Sequence, residues 1–195
     1  MVVISYHASV TDTFANSDGK ARHQFYNITE EPTSYFSGGG KISPVECPNP
    51  DSYYVRFQDN ILGARSRATS LTMEFDTATT KIDTNQINIG INITPTESLP
   101  DRANLRLFVV IYEDSAFYHS SFPPFDSMHS LFVVRKILPD TLGLNLTVAF
   151  PNSFDTTLTN PLGSWDKDQI GIAAFVQNIQ TKEVLQAVVK RKFRR

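Results

Sequence analysis

The stretch Gln86-Ile87-Asn88-Ile89-Gly90-Ile91-Asn92-Ile93-Thr94 decides the fold of this 195-residue chain. Isoleucine occupies every second position from 87 to 93, and small or polar residues stand between. Successive side chains of a β-strand point to opposite faces, so this pattern predicts a strand with one buried and one solvated face. Strands of this kind are typical of antiparallel sheets that pack on one side against another layer.

Six further segments after Ser70 have strand character. Leu71, Met73 and Phe75 alternate with polar residues, and the other five are residues 105–112, 131–138, 144–150, 170–176 and 184–189. Turn-rich pieces such as residues 95–103 and 151–163 separate them, and residues 178–182 predict the loop of a hairpin that pairs the last two strands. Seven short strands in about 120 residues predict an immunoglobulin-like or fibronectin-like sandwich.

The residues before Ser70 have a mixed pattern. Residues 2–6 and 32–36 predict short strands, and the second runs into Gly38-Gly39-Gly40. Helical spacing predicts helices over residues 14–26 and 51–67, the second capped by Asp51 or Ser52. Its expected buried face consists of Tyr54, Phe57, Ile61 and Leu62. The sequence therefore predicts an α+β protein, with an α/β unit over residues 1–69 and a seven-stranded sandwich over residues 70–195.

Composition limits the classes of partner. With 41% apolar residues the chain can bury a core. Its net charge of −2 means that the body of the chain has no excess of positive charge to attract nucleic acid. No apolar run is long enough to cross a bilayer as a helix, and residues 1–7 lack the features of a secretory signal. The basic tail is expected to be solvated, with contact to an anionic surface as the alternative. Its cations are Lys190, Arg191, Lys192, Arg194 and Arg195.

The sequence contains no complete enzyme site. A single cysteine, Cys47, excludes an intrachain disulfide or a Cys-x-x-Cys pair within this chain. The Gly-x-Ser-x-Gly, His-Glu-x-x-His and dinucleotide-binding motifs are absent, and no cofactor is expected. We interpret the glycines before Lys41 as a turn rather than a phosphate loop, because Ile42 replaces the expected Ser or Thr. Asn16-Ser17-Asp18-Gly19 predicts a helix cap or turn rather than a calcium loop.

Two weak sites remain near the strand that ends at Glu113. Glu113, Asp114, His119 and His129 could supply metal ligands, although no tight spacing supports them. The intervening aromatic loop is a candidate contact surface, with loop packing as the alternative. Its candidate contact residues are Phe117, Tyr118, Phe122 and Phe125.

Two groups of motifs resemble the Omp28-related bacterial outer membrane proteins. The first comprises Val2-Val3-Ile4-Ser5-Tyr6-His7, Asp12-x-Phe14, Ala21-Arg22, Phe25-Tyr26, Pro32-Thr33 and Gly38-Gly39. The second comprises residues 109–114, residues 129–139 with Val133-Val134-Arg135-Lys136, Val176-Gln177-Asn178 and Lys182-Glu183-Val184-Leu185-Gln186-Ala187. Together they extend over nearly the whole chain. The resemblance implies the latter half of a thioredoxin-like domain followed by the β-sandwich of that family.

The resemblance also implies a role and a gap. Pro32 matches the cis-proline of thioredoxin-like domains, and a cis X-Pro bond costs little. The family's strand, Cys-x-x-Cys and following helix have no counterpart before Val2, and the missing strand would lie between residues 2–6 and 33–36. The backbone N–H and C=O groups on the edges of these two strands need hydrogen-bond partners. We expect a truncated sequence, a segment donated by another chain, or direct pairing of the two strands.

Three functions follow as hypotheses. The leading one is a non-enzymatic binding or assembly module of the bacterial cell surface or periplasm, with a protein partner or self-assembly through open sheet edges. The second is a fragment of a thiol-disulfide oxidoreductase, which requires a Cys-x-x-Cys segment before Met1. The third is a structural subunit of a filament or surface layer, which predicts concentration-dependent polymers. The resemblance places all three in the cell envelope or outside the cell.

Overall fold

The computed structural model describes residues 2–45, 49–99, 101–119, 127–146 and 151–191. Two α-helices and twelve strands lie in these ranges. The helices are α1 (Ser17–Tyr26) and α2 (Pro50–Arg65). The strands are β1 (Ser34–Phe36), β2 (Gly40–Ile42), β3 (Leu71–Ile82), β4 (Gln86–Pro95), β5 (Leu105–Glu113), β6 (Ala116–His119), β7 (Ser127–Ser130), β8 (Val133–Leu138), β9 (Leu144–Asn145), β10 (Phe154–Pro161), β11 (Ile170–Asn178) and β12 (Val184–Lys190). The predicted α+β composition, mostly β, is confirmed.

Two antiparallel sheets face each other across one apolar core. The first has the strand order β10-β4-β3, and the second has the order β12-β11-β5-β8, with β9 also paired to β5. The isoleucines of β4 face alternate residues of β5 and β11 across this core. Full burial of an aliphatic side chain contributes roughly 1.5–3 kcal/mol, so this layer makes a large contribution to the stability of the fold.

Strand β4 confirms the alternation that the sequence predicts. Ile87, Ile89, Ile91 and Ile93 are fully buried, whereas Thr94 is exposed. Both neighbours hold the strand in register, since Ile91 lies opposite Phe75 of β3 and Thr156 of β10. The alternation in the sequence of this central strand therefore predicts correctly which of its faces is buried.

The five-stranded sheet is buried on both faces. One face of β5 and β11 contributes to the sandwich core, and the other face carries a second apolar cluster. That second cluster consists of Phe108, Val110, Tyr112, Val134, Ile137, Ala173 and Phe175. Strands buried on both faces form continuous apolar runs rather than alternating ones, as residues 107–112 and 170–176 do.

The outer face of this sheet is covered by the residues that precede β1. Val2, Ile4 and Tyr6 pack against the second cluster, and α1 contacts β8. Ser5 bridges to the edge of β8, because its backbone N–H donates to the carbonyl of Phe132 at 2.9 Å and its carbonyl accepts from Val134 N–H at 3.0 Å. The start of the chain is thereby joined to the sandwich.

The predicted strand over residues 2–6 is wrong, because within that segment only Ser5 has a strand partner. Strand β1 instead pairs with β2 in an antiparallel hairpin, from Ser34 opposite Ile42 to Phe36 opposite Gly40. Direct pairing of residues 2–6 with residues 33–36 is therefore wrong as well. The physical reason is that the sandwich sheet offers residues 2–6 an apolar face.

Helix α1 begins at the cap that the sequence predicts. The Asn16 side chain accepts a hydrogen bond from Gly19 N–H at 2.8 Å and donates one to the carbonyl of Val134 at 2.8 Å. The Asp18 carboxylate accepts from Ile137 N–H at 2.7 Å. These polar groups thus cap the helix and attach it to β8, and Asn27 ends the helix in the left-handed conformation.

The β1–β2 hairpin is attached to the sandwich at its turn, which contains Gly38 and Gly39 as predicted. Val184 N–H donates to the carbonyl of Ser37 at 2.9 Å. Gly38 has a φ of +78° and lies directly against the carbonyl oxygen of Lys182. The turn therefore docks on the loop between β11 and β12.

Helix α2 lies on this hairpin and is less buried than predicted. Phe57 contacts the Phe36 ring, with a centroid distance of 5.0 Å. Phe57 and Ile61 are half-buried, but Tyr54 and Leu62 are exposed, so the expected four-residue buried face is wrong. A two-stranded hairpin covers only a narrow stripe of a helix. The helix begins at Pro50, and its cap is Asn49 rather than Asp51 or Ser52.

Strand β10 falls within residues 151–163, where we expected turns. Its residues alternate between half-buried and exposed, but Thr156 and Asn160 occupy inward positions and weaken the apolar signal. The predicted strand over residues 144–150 is limited to Leu144–Asn145 up to Leu146, and residues 147–150 lie outside the described ranges. The two main sheets therefore contain eight strands in the described ranges, not seven. The predicted hairpin between β11 and β12 is confirmed.

Candidate functional site at the β6–β7 hairpin

A short hairpin follows β5 where the sequence predicts an aromatic contact loop. Strands β6 and β7 pair antiparallel, from Ala116 opposite Ser130 to His119 opposite Ser127. Both ends of the expected loop are thus strands, which its proline and aromatic content had concealed. Phe122 and Phe125 lie outside the residues that the structure describes.

The alternation of β6 gives its two aromatic residues different surroundings. The Phe117 side chain is on the solvent side, with 51% of the residue exposed, and its ring contacts the His129 ring at a centroid distance of 5.1 Å. Tyr118 is half-buried and packs edge-on against Phe14 at 5.1 Å. Tyr118 therefore holds the hairpin against the body of the protein, whereas Phe117 is presented outward.

A polar cluster joins the hairpin to the N-terminal residues. The His7 Nδ1 atom lies 2.5 Å from a carboxylate oxygen of Asp12, whose other oxygen accepts from Phe14 N–H at 2.8 Å. The His7 Nε2 atom lies 3.2 Å from Ser5 Oγ and 3.3 Å from Ser130 Oγ. Sequence analysis missed this cluster, because Ser130 is 123 positions from His7 and no local spacing connects them.

The cluster has the order carboxylate, imidazole, hydroxyl. When Asp12 accepts the Nδ1 proton, Nε2 is left to accept a hydrogen bond from a serine hydroxyl. This order allows a histidine to take a proton from a serine. Here two serines share one nitrogen, and the Ser130 contact fastens β7 to the N-terminal segment. The geometry supports a positioning role for His7 beneath the hairpin.

Exposed apolar side chains lie beside this cluster. Leu131 follows β7 directly and is exposed, as is Val10 in the loop that joins His7 to Asp12. We use the name hairpin surface for Phe117, His129 and Leu131. It combines apolar side chains with one imidazole.

Of the four metal-ligand candidates, Glu113, Asp114 and His129 have described side chains, and these three do not form a group that could hold a metal ion. The Glu113 carboxylate is buried, forms an ion pair with Arg135 and accepts from Asp166 N–H at 3.1 Å. His129 Nδ1 lies 2.9 Å from Ser115 Oγ. Among the described side chains, no three His, Cys, Asp or Glu residues are grouped to hold a metal ion. The side chain of His119 lies outside the described set.

Two further sequence features have defined positions. The Glu31–Pro32 peptide bond is cis, the form that the resemblance implies. In the tail, Lys190 Nζ donates to the carbonyl of Thr80 at 3.3 Å, and the Arg191 guanidinium lies 5.6 Å from the centroid of the Phe132 ring. Lys192, Arg194 and Arg195 lie beyond the described residues, and so does Cys47.

An open cleft of about 200 Å³ lies between the β1–β2 turn and α2. Its lining residues include Phe36, Asp59, Asn60 and Arg67. Arg67 is exposed and forms an ion pair with Glu183 at 3.2 Å. Surface pairs of this kind contribute little, and none of the predicted site residues lines the cleft.

None of the helices in the described ranges is both long and apolar enough to cross a membrane.

Comparison with known proteins gives a structural likeness. No protein-family model matches the chain, and no curated protein matches it. The solved structure of HBP35 of Porphyromonas gingivalis superposes with a TM-score of 0.65 at 14% identity. The match covers 90% of this chain and 57% of that one. The chain therefore spans a little more than half the length of HBP35.

Two other solved structures are less similar. A domain of the outer membrane lipoprotein Omp28 from Porphyromonas gingivalis matches at 19% identity with a TM-score of 0.43, over 65% of this chain and 90% of that one. A β-glucosidase from Kluyveromyces marxianus matches at 7% identity with a TM-score of 0.30, over 65% of this chain and 14% of that one. The predicted resemblance to Omp28-related proteins is confirmed as a resemblance. What the comparisons show is that this chain has the fold of HBP35 over nine-tenths of its length.

Proposed function

We propose that this protein is a non-enzymatic binding module of the bacterial cell envelope and that the hairpin surface is where it contacts its partner. The observation that carries the proposal is the outward presentation of Phe117 on a hairpin anchored from below. Interfaces take much of their binding energy from aromatic residues held in place by their surroundings. Phe117 has this arrangement, since Tyr118 fixes the strand β6 that carries it and the His7 cluster fixes the paired strand β7.

The envelope location is supported by the sequence motifs and the fold. Motifs in both halves of the chain resemble the Omp28-related outer membrane proteins, and HBP35 of Porphyromonas gingivalis has the same fold over most of this chain. A likeness at 14% identity concerns the fold, so the location is part of the proposal.

The first unit is proposed to be the latter half of a thioredoxin-like domain, ending near residue 69. The order of its elements supports this: an extended segment, α1, the cis bond before Pro32, the β1–β2 hairpin and α2. Among the described strands, β1 pairs with β2 alone. Assembly by addition of a strand from another chain beside β1 is the second way in which we propose that this protein binds a partner.

Site-specific photo-crosslinking tests the contact surface. A photoreactive phenylalanine analogue at position 117, introduced into the full-length protein in the producing cells, should give a discrete higher-mass adduct after irradiation. The analogue keeps the aromatic ring at an exposed position, so a bound partner lies within its reach. The measurement is the mass of the adduct by immunoblotting.

The matched control is position 142. Leu142 is exposed like Phe117, but it lies in the turn that follows β8, at the end of the sheet away from the hairpin. An adduct from position 117 and none from position 142 supports the proposal. The proposal is contradicted if both positions give equal amounts of adduct, or if position 117 gives none.

A further inference from the structure

Helix α2 presents an apolar patch on the side that does not face the β1–β2 hairpin. None of its 16 residues is fully buried, and even Phe57, which packs on the hairpin, is only half-buried. Tyr54 is 72% exposed, Val55 is 53% exposed and Leu62 is 52% exposed. Residues seven or eight positions apart lie on the same side of a helix, so these three side chains form one exposed patch.

Polar residues are placed symmetrically around this patch. Asp51, Gln58 and Arg65 are seven positions apart, so they lie along the same side of the helix as the patch, and all three are exposed. Gln58 is the centre of the arrangement, because Tyr54 and Leu62 each lie four positions from it. Reversing the direction of the helix therefore exchanges an acidic residue for a basic one and one apolar side chain for another.

The two charges at the ends of this face are unpaired within the described part of the chain. Neither Asp51 nor Arg65 forms a salt bridge there. An acidic residue in the first turn and a basic residue in the last turn also suit the helix dipole. The dipole does not explain why exposed apolar side chains lie between them, whereas a partner with the same surface explains both features.

We propose that α2 packs against the α2 of a second copy of this chain, antiparallel and about a twofold axis at Gln58. Asp51 of each copy then lies opposite Arg65 of the other, and Tyr54 lies opposite Leu62. The two Gln58 amides meet at the axis, where each can donate a hydrogen bond to the other. The two charge pairs are roughly 21 Å apart along the helix, so together they fix the register. A twofold interface closes at two copies.

The dimer is expected to be weak, because a pair of short helices buries less surface than a stable interface does. Interfaces below about 1,200 Å² belong to transient complexes. We therefore expect a dissociation constant on the order of 100 µM. Sedimentation equilibrium of the full chain between about 10 µM and about 1 mM covers this range. The mean mass should rise with concentration from that of one chain towards that of two.

Charge reversal identifies the surface that associates. Asp51→Arg and Arg65→Asp each place like charges opposite each other in the dimer, and each should weaken self-association at least about tenfold. A mixture of these two variants should associate like the wild type, because every pair between them again has opposite charges. A wild type that stays monomeric up to the highest concentration overturns the proposal, and so does a mixture that associates no better than its separate components.

Cysteine crosslinking tests the position of the axis. In a Cys47→Ser background, Gln58→Cys places two cysteines at the axis, and helices that pack about 8–10 Å apart bring them within reach of a disulfide. Mild oxidation should give a disulfide-linked dimer on a non-reducing gel. Arg56→Cys is the matched control, because position 56 is exposed but lies on the opposite side of the helix from Gln58. Equal crosslinking of both variants would show random collision and overturn the proposal.

Discussion

Replacing Arg135 with methionine is expected to lower the free energy of unfolding by about 3–5 kcal/mol, because it leaves the buried Glu113 carboxylate without its counter-charge. Glu113 is 6% exposed, and its second oxygen accepts from Asp166 N–H. Arg135 supplies both its Nε and Nη2 to the other oxygen and also lies 4.9 Å from the Phe14 ring centroid. Urea unfolding followed by circular dichroism measures the loss.

Removing the negative partner instead, by Glu113→Gln, is expected to lower the free energy of unfolding by less. Glu113→Gln keeps an acceptor for Asp166 N–H, and Arg135 is exposed enough to be hydrated after the change. The double variant Glu113→Gln with Arg135→Met should therefore recover part of the loss, and Arg102→Met, at an exposed arginine, should have almost no effect. Equal losses from Arg135→Met and Glu113→Gln contradict this asymmetry.

Gly38→Ala is expected to destabilise the protein by about 2–4 kcal/mol. A φ of +78° costs a residue with a Cβ roughly 1–2 kcal/mol, and overpacking against the Lys182 carbonyl adds about 1–3 kcal/mol. The turn must then move away from the loop between β11 and β12, which weakens the bond from Val184 to Ser37. The change in the unfolding midpoint, with the m-value held constant, measures the effect.

The neighbouring glycine supplies the control. A Cβ on Gly39 would have no atom within 4 Å, and its backbone is outside the left-handed region. Gly39→Ala should therefore change stability by less than about 1 kcal/mol. Similar losses for the two variants would show that the turn does not dock as described.

The sequence predicts this fold best where one face of a strand is solvated. Strand β4 alternates cleanly because its outer face carries polar residues, and its prediction is confirmed. Strand β10 has the same alternation, but threonine and asparagine occupy inward positions, so it resembles a turn region. Residues 2–6 have the composition of a strand and instead cover the outer face of another sheet. Local pattern shows that these side chains are buried, but not what they are buried against.

The candidate site is predicted from the sequence less well than the fold, because its contacts join distant parts of the chain. The aromatic content of residues 117–125 marks the hairpin in the sequence, yet the sequence does not separate Phe117, which faces outward, from Tyr118, which packs on Phe14. The contact of His7 with Ser130 joins the beginning of the chain to β7. Residues so far apart in the chain form no motif of fixed spacing, so the sequence does not reveal that they are in contact. The sequence suggested Glu113 as a metal ligand, but in the structure its carboxylate forms an ion pair with Arg135.

Cysteine labelling in the producing cells tests the central claim, an envelope protein with an accessible hairpin surface. In a Cys47→Ser background, the full-length protein carries a cysteine through either Phe117→Cys or Ala116→Cys, and a membrane-impermeant maleimide is added to intact cells. Ala116 is 3% exposed and is the buried neighbour on the same strand. We expect the Phe117→Cys protein to be labelled on intact cells or after the outer membrane alone is permeabilised, and the Ala116→Cys protein only after denaturation. Labelling of Phe117→Cys that requires lysis of the inner membrane, or equal labelling of both positions, would contradict the account.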